Sequence, residues 1–143
     1  MGGFNLSKMV GSMIDGDERY KSKVVVLCSS DDYRHESSRM RHCISSYAGS
    51  GSKNTYVAMH IRNLAEDLTL GCRVSRSGGF AKLKYEQAYK HSNQYISTGN
   101  KKFCMEVVSF VNSELDKIYE EMKSKTDEEK EEMRKDFKHL FSK

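Results

Sequence analysis

Two arginines, a histidine and a cysteine lie within the five residues 39–43, which read Arg-Met-Arg-His-Cys. Nearby positive charge lowers the pKa of a thiol, so this segment could hold a reactive thiolate. A cysteine nucleophile also needs a general base. His42 is a poor base for Cys43 if a helix continues here, because neighbouring helical side chains diverge by about 100°. The base would then be His60 or His91.

A buried position is the alternative for Cys43, and we favour it. Free cysteine is among the most buried residue types, and Met40 and Ile44 would be its neighbours on an apolar helix face. The remaining cysteines are widely spaced: Cys28, Cys72 and Cys104. This spacing predicts reduced thiols rather than disulfides, and it indicates no structural zinc or other metal site.

Basic and aromatic side chains interleave in the middle of the chain and form a second candidate site. The basic residues are Arg62, Arg73, Arg76, Lys82, Lys84 and Lys90. The tyrosines are Tyr56, Tyr85, Tyr89 and Tyr95. Lys and Arg neutralise phosphates and aromatic rings stack on bases, so the pattern is typical of a site for single-stranded nucleic acid or a nucleotide. A basic surface with half-buried tyrosines explains it equally well.

Composition and charge narrow the class of protein. The chain of 143 residues has the length of one domain, with three regions of different charge: −1 over residues 1–33, +8 over 34–102 and −3 over 103–143. The basic middle indicates an anionic partner. The longest uncharged apolar run, residues 24–28, excludes a transmembrane helix and indicates no membrane partner. Without a signal-peptide pattern, we expect a cytoplasmic protein, and no cofactor is indicated.

Helical periodicity and strand alternation predict the elements that position these residues. Helices are expected at 5–14, 32–47 and 103–123, and a capping box, Thr126 with Glu129, predicts a last helix after it. The Gly/Ser-rich residues 48–52 are expected to form a loop. The last helix would have one apolar face, formed by Met133, Phe137, Leu140 and Phe141.

Strands are expected at 23–28, 55–61, 68–74 and 81–90, with a hairpin turn at Ser77-Gly78-Gly79. In the last strand, Lys82 and Lys84 would lie on an outer face opposite Gln87 and Tyr89. Together, the predicted helices and strands indicate an α+β fold: a small, mainly antiparallel sheet with helices packed on one side and a C-terminal helical pair.

Residues 36–47, Glu-Ser-Ser-Arg-Met-Arg-His-Cys-Ile-Ser-Ser-Tyr, resemble the signature of the PcfJ-like proteins of conjugative plasmids and phages. In that family the segment ends in Gly-Ser-Tyr and is followed by a strand with a basic residue, a Thr-Leu strand, and a Gln with an Asn six positions on. The corresponding residues are Arg62, Thr69-Leu70, Gln87 and Asn93. Ser45 and Lys90 stand where the family has glycines.

The resemblance implies a phage or mobile-element origin and one site that gathers His42, Cys43, Tyr47, Arg62, Gln87 and Asn93. From the sequence we assign catalytic roles to His42, Cys43, Gln87 and Asn93. We assign ligand binding to Arg39, Arg41, Tyr47, Arg62, Arg73, Lys82 and Lys84. The terminal helices lie outside the resemblance.

Three hypotheses follow. The leading one is a phage or mobile-element protein that binds nucleic acid or a nucleotide, in nucleic-acid processing or in interference with a host system. The second is a Cys/His-dependent enzyme with Cys43 as nucleophile. The third is a protein-interaction module whose C-terminal helices bind a host protein or form an oligomer.

Overall fold

A five-stranded antiparallel sheet lies between two helical layers in the computed structural model, which describes residues 3–63 and 66–142. The strands follow one another across the sheet in chain order: β1 (Val24–Val26), β2 (Tyr56–Asn63), β3 (Glu66–Ser75), β4 (Lys82–Lys90) and β5 (Gln94–Tyr95). The helices are α1 (Asn5–Asp15), α2 (Ser30–Met40), α3 (Ala48–Ser52), α4 (Thr98–Lys123) and α5 (Asp127–Asp136). Short 3-10 turns span Ile44–Tyr47, His91–Asn93 and Lys138–Leu140.

The α+β class, the antiparallel sheet and the two C-terminal helices are confirmed. The hairpin turn between β3 and β4 is also present, closed by a hydrogen bond from Gly79 N–H to the carbonyl of Arg76 at 2.8 Å. Within the described ranges, no helix is both long enough and apolar enough to cross a membrane.

One face of the sheet, which we call the apolar face, packs against α1 and α4. It is formed by alternate residues of the two central strands: Val57, Met59, Ile61, Leu68, Leu70 and Cys72. Leu6 and Val10 of α1 and Val107 and Leu115 of α4 complete this core. The alternation places every second strand residue here, so the intervening residues must point to the opposite face.

The opposite face, which we call the polar face, is covered by α2, the Ile44–Tyr47 turn and α3. Its strand residues include Tyr56, Ala58, His60, Thr69 and Gly71, and a small apolar cluster joins Tyr56 and Ala58 to Tyr33 of α2 and to Ile44. The helices therefore lie on both sides of the sheet, whereas the sequence placed them on one. The missed layer is α2, whose polar sequence still contains fully buried residues.

A β-bulge in β4 changes which residues reach each face. Gly71 is paired with Gln87, but the next residue of β3, Cys72, is paired with Tyr85. Glu86 is the extra residue, and the side-chain alternation reverses after it. Gln87 therefore reaches the polar face while Ala88 enters the apolar core, contrary to the continuous alternation expected from the sequence.

Helix α2 ends seven residues before the predicted boundary at 47. It begins where Ser29 Oγ accepts a hydrogen bond from Asp32 N–H, and it ends at Arg41, whose φ of 53° is left-handed. The chain then continues as the 3-10 turn and α3, so residues 48–52 form a short helix rather than the expected loop. The turn at Arg41 removes Cys43 from the predicted helix face.

The C-terminal helices differ from prediction at their ends. α4 begins at Thr98 because Ser97 Oγ accepts a hydrogen bond from Asn100 N–H, and the capping box of Thr126 and Glu129 is present. The predicted apolar face of the last helix is not continuous, since α5 ends at Asp136 and contains no buried residue. Leu140 is fully buried, but through the following 3-10 turn, while Phe137 is exposed.

Candidate functional site

A cavity of about 190 Å³ lies on the polar face, between the segment that follows α2 and strands β3 and β4. Five residues that the sequence assigned to the site line it together: His42, Cys43, Tyr47, Gln87 and Asn93. They come from two chain segments more than 35 residues apart. Thr69 and Tyr89 complete the polar and aromatic wall.

The turn after α2 decides how His42 and Cys43 are presented. With Arg41 in a left-handed conformation, His42 N–H still bonds to the carbonyl of Ser37, but the helix does not continue. Ile44 is buried and Cys43 is exposed at the cavity rim. The buried position that we favoured for Cys43 is therefore wrong, because it assumed a helix through this segment.

The ring of His42 is fixed by hydrogen bonds at both nitrogens. Nδ1 accepts from the N–H of Ile44 at 3.3 Å, so Nε2 bears the proton and donates to Thr69 Oγ1 at 2.8 Å. The Thr69 hydroxyl donates in turn to Glu36 Oε2 at 2.5 Å. Burial lowers the pKa of His42 against the opposing charge of Glu36, so the ring is neutral at pH 7.

Glu36 is the centre of a buried ionic cluster. Its carboxylate is fully buried and accepts hydrogen bonds from His60 Nδ1 at 2.6 Å and from Arg39 at 2.6 Å, besides that from Thr69. Burial alone would raise the pKa of Glu36, but these hydrogen bonds outweigh burial and lower it to about 2. We call Glu36, Arg39, His60, Asp67 and Thr69 the Glu36 cluster.

His60 is the buried cation of this cluster. Its Nδ1 faces Glu36 and its Nε2 faces Asp67 Oδ2 at 3.0 Å. Carboxylates only accept hydrogen bonds, so both ring nitrogens donate and the ring is an imidazolium. Burial opposes this charge, but the hydrogen bonds and charges of Glu36 and Asp67 raise the pKa of His60. The cluster therefore ties α2 to β2 and β3 and holds Thr69 toward His42.

An aromatic stack fixes the opposite wall of the cavity. The ring of Tyr47 lies on that of Tyr56, with centroids 4.4 Å apart, and Gln87 Nε2 donates to the Tyr56 hydroxyl at 2.9 Å. Burial raises the pKa of Tyr56, so its hydroxyl stays protonated. A Cβ on Gly71 would overlap that hydroxyl, and only glycine leaves room for the buried Tyr56 side chain there.

Asn93 enters the cavity from the turn between β4 and β5. Both Ser92 and Asn93 have left-handed backbones, with φ near 61° and 60°. Such conformations are uncommon for residues other than glycine, and they often mark functional sites. The turn brings the Asn93 side chain beside Tyr89 and Gln87, where three polar or aromatic groups converge.

The predicted basic residues occupy different places. Arg39 belongs to the Glu36 cluster, and Arg73 lies over the Tyr56 ring at 5.5 Å while it pairs with Glu86. Lys84 is in register with Arg73 on the polar face, whereas Lys82, the register partner of Ser75, lines a groove with Asp116 and Glu120 of α4. Both are exposed, and neither forms an ion pair with a described residue. Arg41 and Arg62 are exposed, and neither lines the cavity.

Glu36 and Thr69 are site residues to which the sequence analysis gave no role. A signal for Glu36 was present, since it is the only acidic residue between positions 33 and 65 and is surrounded by basic ones. In the described part of the chain, no group of three or more His, Cys, Asp or Glu side chains is arranged to hold a metal ion.

Comparisons with protein-family models, curated proteins and solved structures found no match. The geometry of the cavity and its surroundings therefore provides the functional argument.

Proposed function

We propose that this protein binds nucleotide units, with one base in the cavity and phosphate on the basic side of the polar face. The observation that carries the proposal is the combination of side chains in a single small cavity. Tyr47 and Tyr89 supply aromatic rings, while Gln87 and Asn93 supply amides that can form hydrogen bonds with base edges.

The size of the cavity supports a single ring system. At about 190 Å³ it is smaller than the roughly 300–1,000 Å³ of pockets for drug-sized ligands. His42 contributes a flat neutral ring whose nitrogens are both occupied by protein partners. Such a wall suits a planar base, because bases stack on aromatic and imidazole rings.

The lysines supply the complementary charge. Tyr47 lies on Tyr56, Arg73 lies over Tyr56, and Lys84 is the register partner of Arg73. Two ring contacts therefore lead from the cavity wall to Arg73, and Lys84 stands beside Arg73 on the neighbouring strand, with Lys82 two residues before it. Phosphates bound there would displace counterions, so the affinity should decrease steeply with salt.

Fluorescence anisotropy with a labelled single-stranded DNA octamer of mixed sequence tests the proposal. We expect binding that weakens with salt, and at least tenfold weaker binding for the double substitution Lys82→Glu/Lys84→Glu. Gln87→Ala should weaken binding with little change in the salt dependence. The control is Lys117→Glu/Lys123→Glu, which makes the same charge change on exposed residues of α4, on the other side of the sheet. Equal losses in both double variants, or no binding of either the octamer or deoxynucleoside monophosphates by the unmodified protein, would contradict the proposal.

The alternative of a Cys/His-dependent enzyme has less support in the geometry. Cys43 is exposed at the rim, but among the described residues no histidine ring forms a hydrogen bond with it. The nitrogens of the nearby His42 are directed to Thr69 and Ile44. A base would have to break one of these contacts before it could take the thiol proton.

A further inference from the structure

Tyr95 is the most exposed of the large hydrophobic side chains that the structure describes, with 85% of its surface accessible. A large aromatic ring so exposed is unusual, since rings of this size are normally at least half-buried. It stands in β5, directly after the turn that places Asn93 in the cavity. Its position is therefore linked to the candidate site by a few residues of chain.

Strand pairing holds the backbone of Tyr95 in place. Tyr95 is the antiparallel partner of Tyr89, and Gln94 is the partner of Lys90. The two tyrosine rings are 6.1 Å apart between centroids. Tyr89 lines the cavity, so the aromatic surface continues from the cavity over its rim to Tyr95. A ring fixed on a paired strand needs little further ordering when it binds a flat partner.

The chain segment that carries Tyr95 is basic, although acidic residues of β3 lie near it: Lys90 pairs with Glu66, and Glu66 and Asp67 line a groove with Gln94. No acidic residue occurs between Glu86 and Glu106, while Lys90, Lys101 and Lys102 lie in this segment. The charged side chains of the segment itself are all positive, which favours a phosphate-bearing partner.

We propose that Tyr95 stacks on a second unpaired base, next to the one in the cavity, so that the ligand is single-stranded nucleic acid rather than a free nucleotide. This inference rests on the proposed function of the cavity. Successive bases on successive aromatic rings are the usual arrangement in single-strand binding, and each stacked base contributes measurably to affinity. A mononucleotide would occupy the cavity without reaching Tyr95.

The test compares two kinds of ligand in the unmodified protein and in three variants. Binding of the labelled DNA octamer is measured directly, and the four deoxynucleoside monophosphates are measured as competitors. In Tyr95→Ala we expect the octamer to bind about 5- to 150-fold more weakly, with the monophosphate affinities unchanged. Tyr95→Phe keeps the ring and should bind both ligands as the unmodified protein does. The control variant Phe137→Ala removes an exposed ring just after α5 and should have no effect on binding.

The outcomes separate the two proposals. If Tyr95→Ala binds the octamer with undiminished affinity, the second stacking site is wrong while the cavity proposal stands. If it loses the monophosphates as well, Tyr95 acts through the cavity and the inference is also overturned. If the unmodified protein binds neither ligand, the proposed function itself is wrong and this inference is overturned with it. If it binds the monophosphates but not the octamer, only this inference is overturned. Unchanged thermal unfolding of Tyr95→Ala shows that the fold is intact.

Discussion

The two faces of the sheet both bury side chains completely, but different interactions hold the helices on each. On the apolar face, α1 and α4 pack on aliphatic residues such as Met59 and Leu70, which are fully buried. On the polar face, α2 is held by the Glu36 cluster as well as by a small apolar group around Tyr33. The candidate cavity lies on the polar face, beside the Glu36 cluster.

This difference indicates what each face can do. Aliphatic packing is non-directional and tolerates small shifts of a helix, whereas the hydrogen bonds of a carboxylate fix positions and protonation states. Because the Thr69 hydroxyl donates its hydrogen to Glu36, its oxygen accepts a hydrogen bond from His42 Nε2, and this bond fixes the orientation of the His42 ring. The polar face thus fixes the groups that line the cavity, while the apolar face forms the main hydrophobic core.

The largest expected effect concerns the buried charges. Glu36→Gln leaves the His60 imidazolium without its fully buried counter-ion, and we expect a loss of about 3–5 kcal/mol in the free energy of unfolding. Leu70→Ala, on the apolar face, should cost about 2–5 kcal/mol through lost packing. Urea denaturation of both variants at pH 7 measures the two losses.

Octamer binding, rather than stability, distinguishes the two variants. Glu36→Gln should also weaken octamer binding, because His42 loses its fixed orientation, whereas folded Leu70→Ala should bind normally. Asp31→Asn, which alters an exposed acid of the same helix, is the control for helix α2. A Glu36→Gln protein as stable as the original would show that the cluster does not hold α2.

Acid pH offers a second way to distinguish the faces. The pKa of Glu36 is about 2 in the folded protein against an ordinary 4.5. Its stabilisation is therefore fully present above about pH 4.5 and is lost as the pH falls toward 2, with a total on the order of 3 kcal/mol. The stability difference between the unmodified protein and Glu36→Gln should shrink over this window.

Leu70→Ala is the reference for that measurement. Its stability difference from the unmodified protein should stay constant from pH 6 to pH 2, since no charge is removed. Other carboxyls with lowered pKa values, such as those of Asp17 and Glu129, are present in every variant and cancel. Parallel curves for Glu36→Gln and Leu70→Ala would contradict the low pKa of Glu36.

Sequence reasoning predicted the apolar face well. Helical periodicity located α1 and α4, and strand alternation located β2, β3 and β4, since aliphatic residues show directly which positions are buried. The capping box of Thr126 and Glu129 fixed the start of α5. These are local or periodic signals that need no knowledge of tertiary contacts.

The polar face was predicted only in part. His42, Cys43, Tyr47, Gln87 and Asn93 were assigned to one site from the resemblance, and they do line one cavity. Burial of Glu36 could not be predicted, because a carboxylate enters a core only when its partners are present, and those lie 24 and 33 residues away. The bulge after Gly71 likewise depends on pairing between strands.

A smaller effect is expected where the cavity wall meets the bulge. Gly71→Ala forces the buried Tyr56 ring to move, and overpacking of this kind costs about 1–3 kcal/mol. Movement of Tyr56 also releases Gln87, so octamer binding should weaken together with stability. Gly78→Ala is the matched control, since a Cβ there meets nothing within 4 Å. Thermal unfolding and anisotropy measure both effects, and equal behaviour of the two variants would mean that Tyr56 does not depend on Gly71.

The smallest expected effect on stability concerns the thiol of Cys43, whose environment differs from that of the thiols on the apolar face. Cys72 and Cys104 lie in the apolar core, where burial raises their pKa to about 12, so they should react slowly with iodoacetamide in the folded protein. Cys43 is exposed and should be alkylated first. Cys43→Ser should change stability by less than about 0.5 kcal/mol, whereas Cys104→Ser places a hydroxyl in apolar surroundings and should cost about 1–3 kcal/mol.

Mass spectrometry of partly labelled protein gives the order in which the thiols react. Saturating octamer should slow labelling of Cys43 if a base fills the cavity beside it. Labelling of Cys43 no faster than of Cys104 would contradict the turn at Arg41, because only that turn removes Cys43 from the predicted helix face.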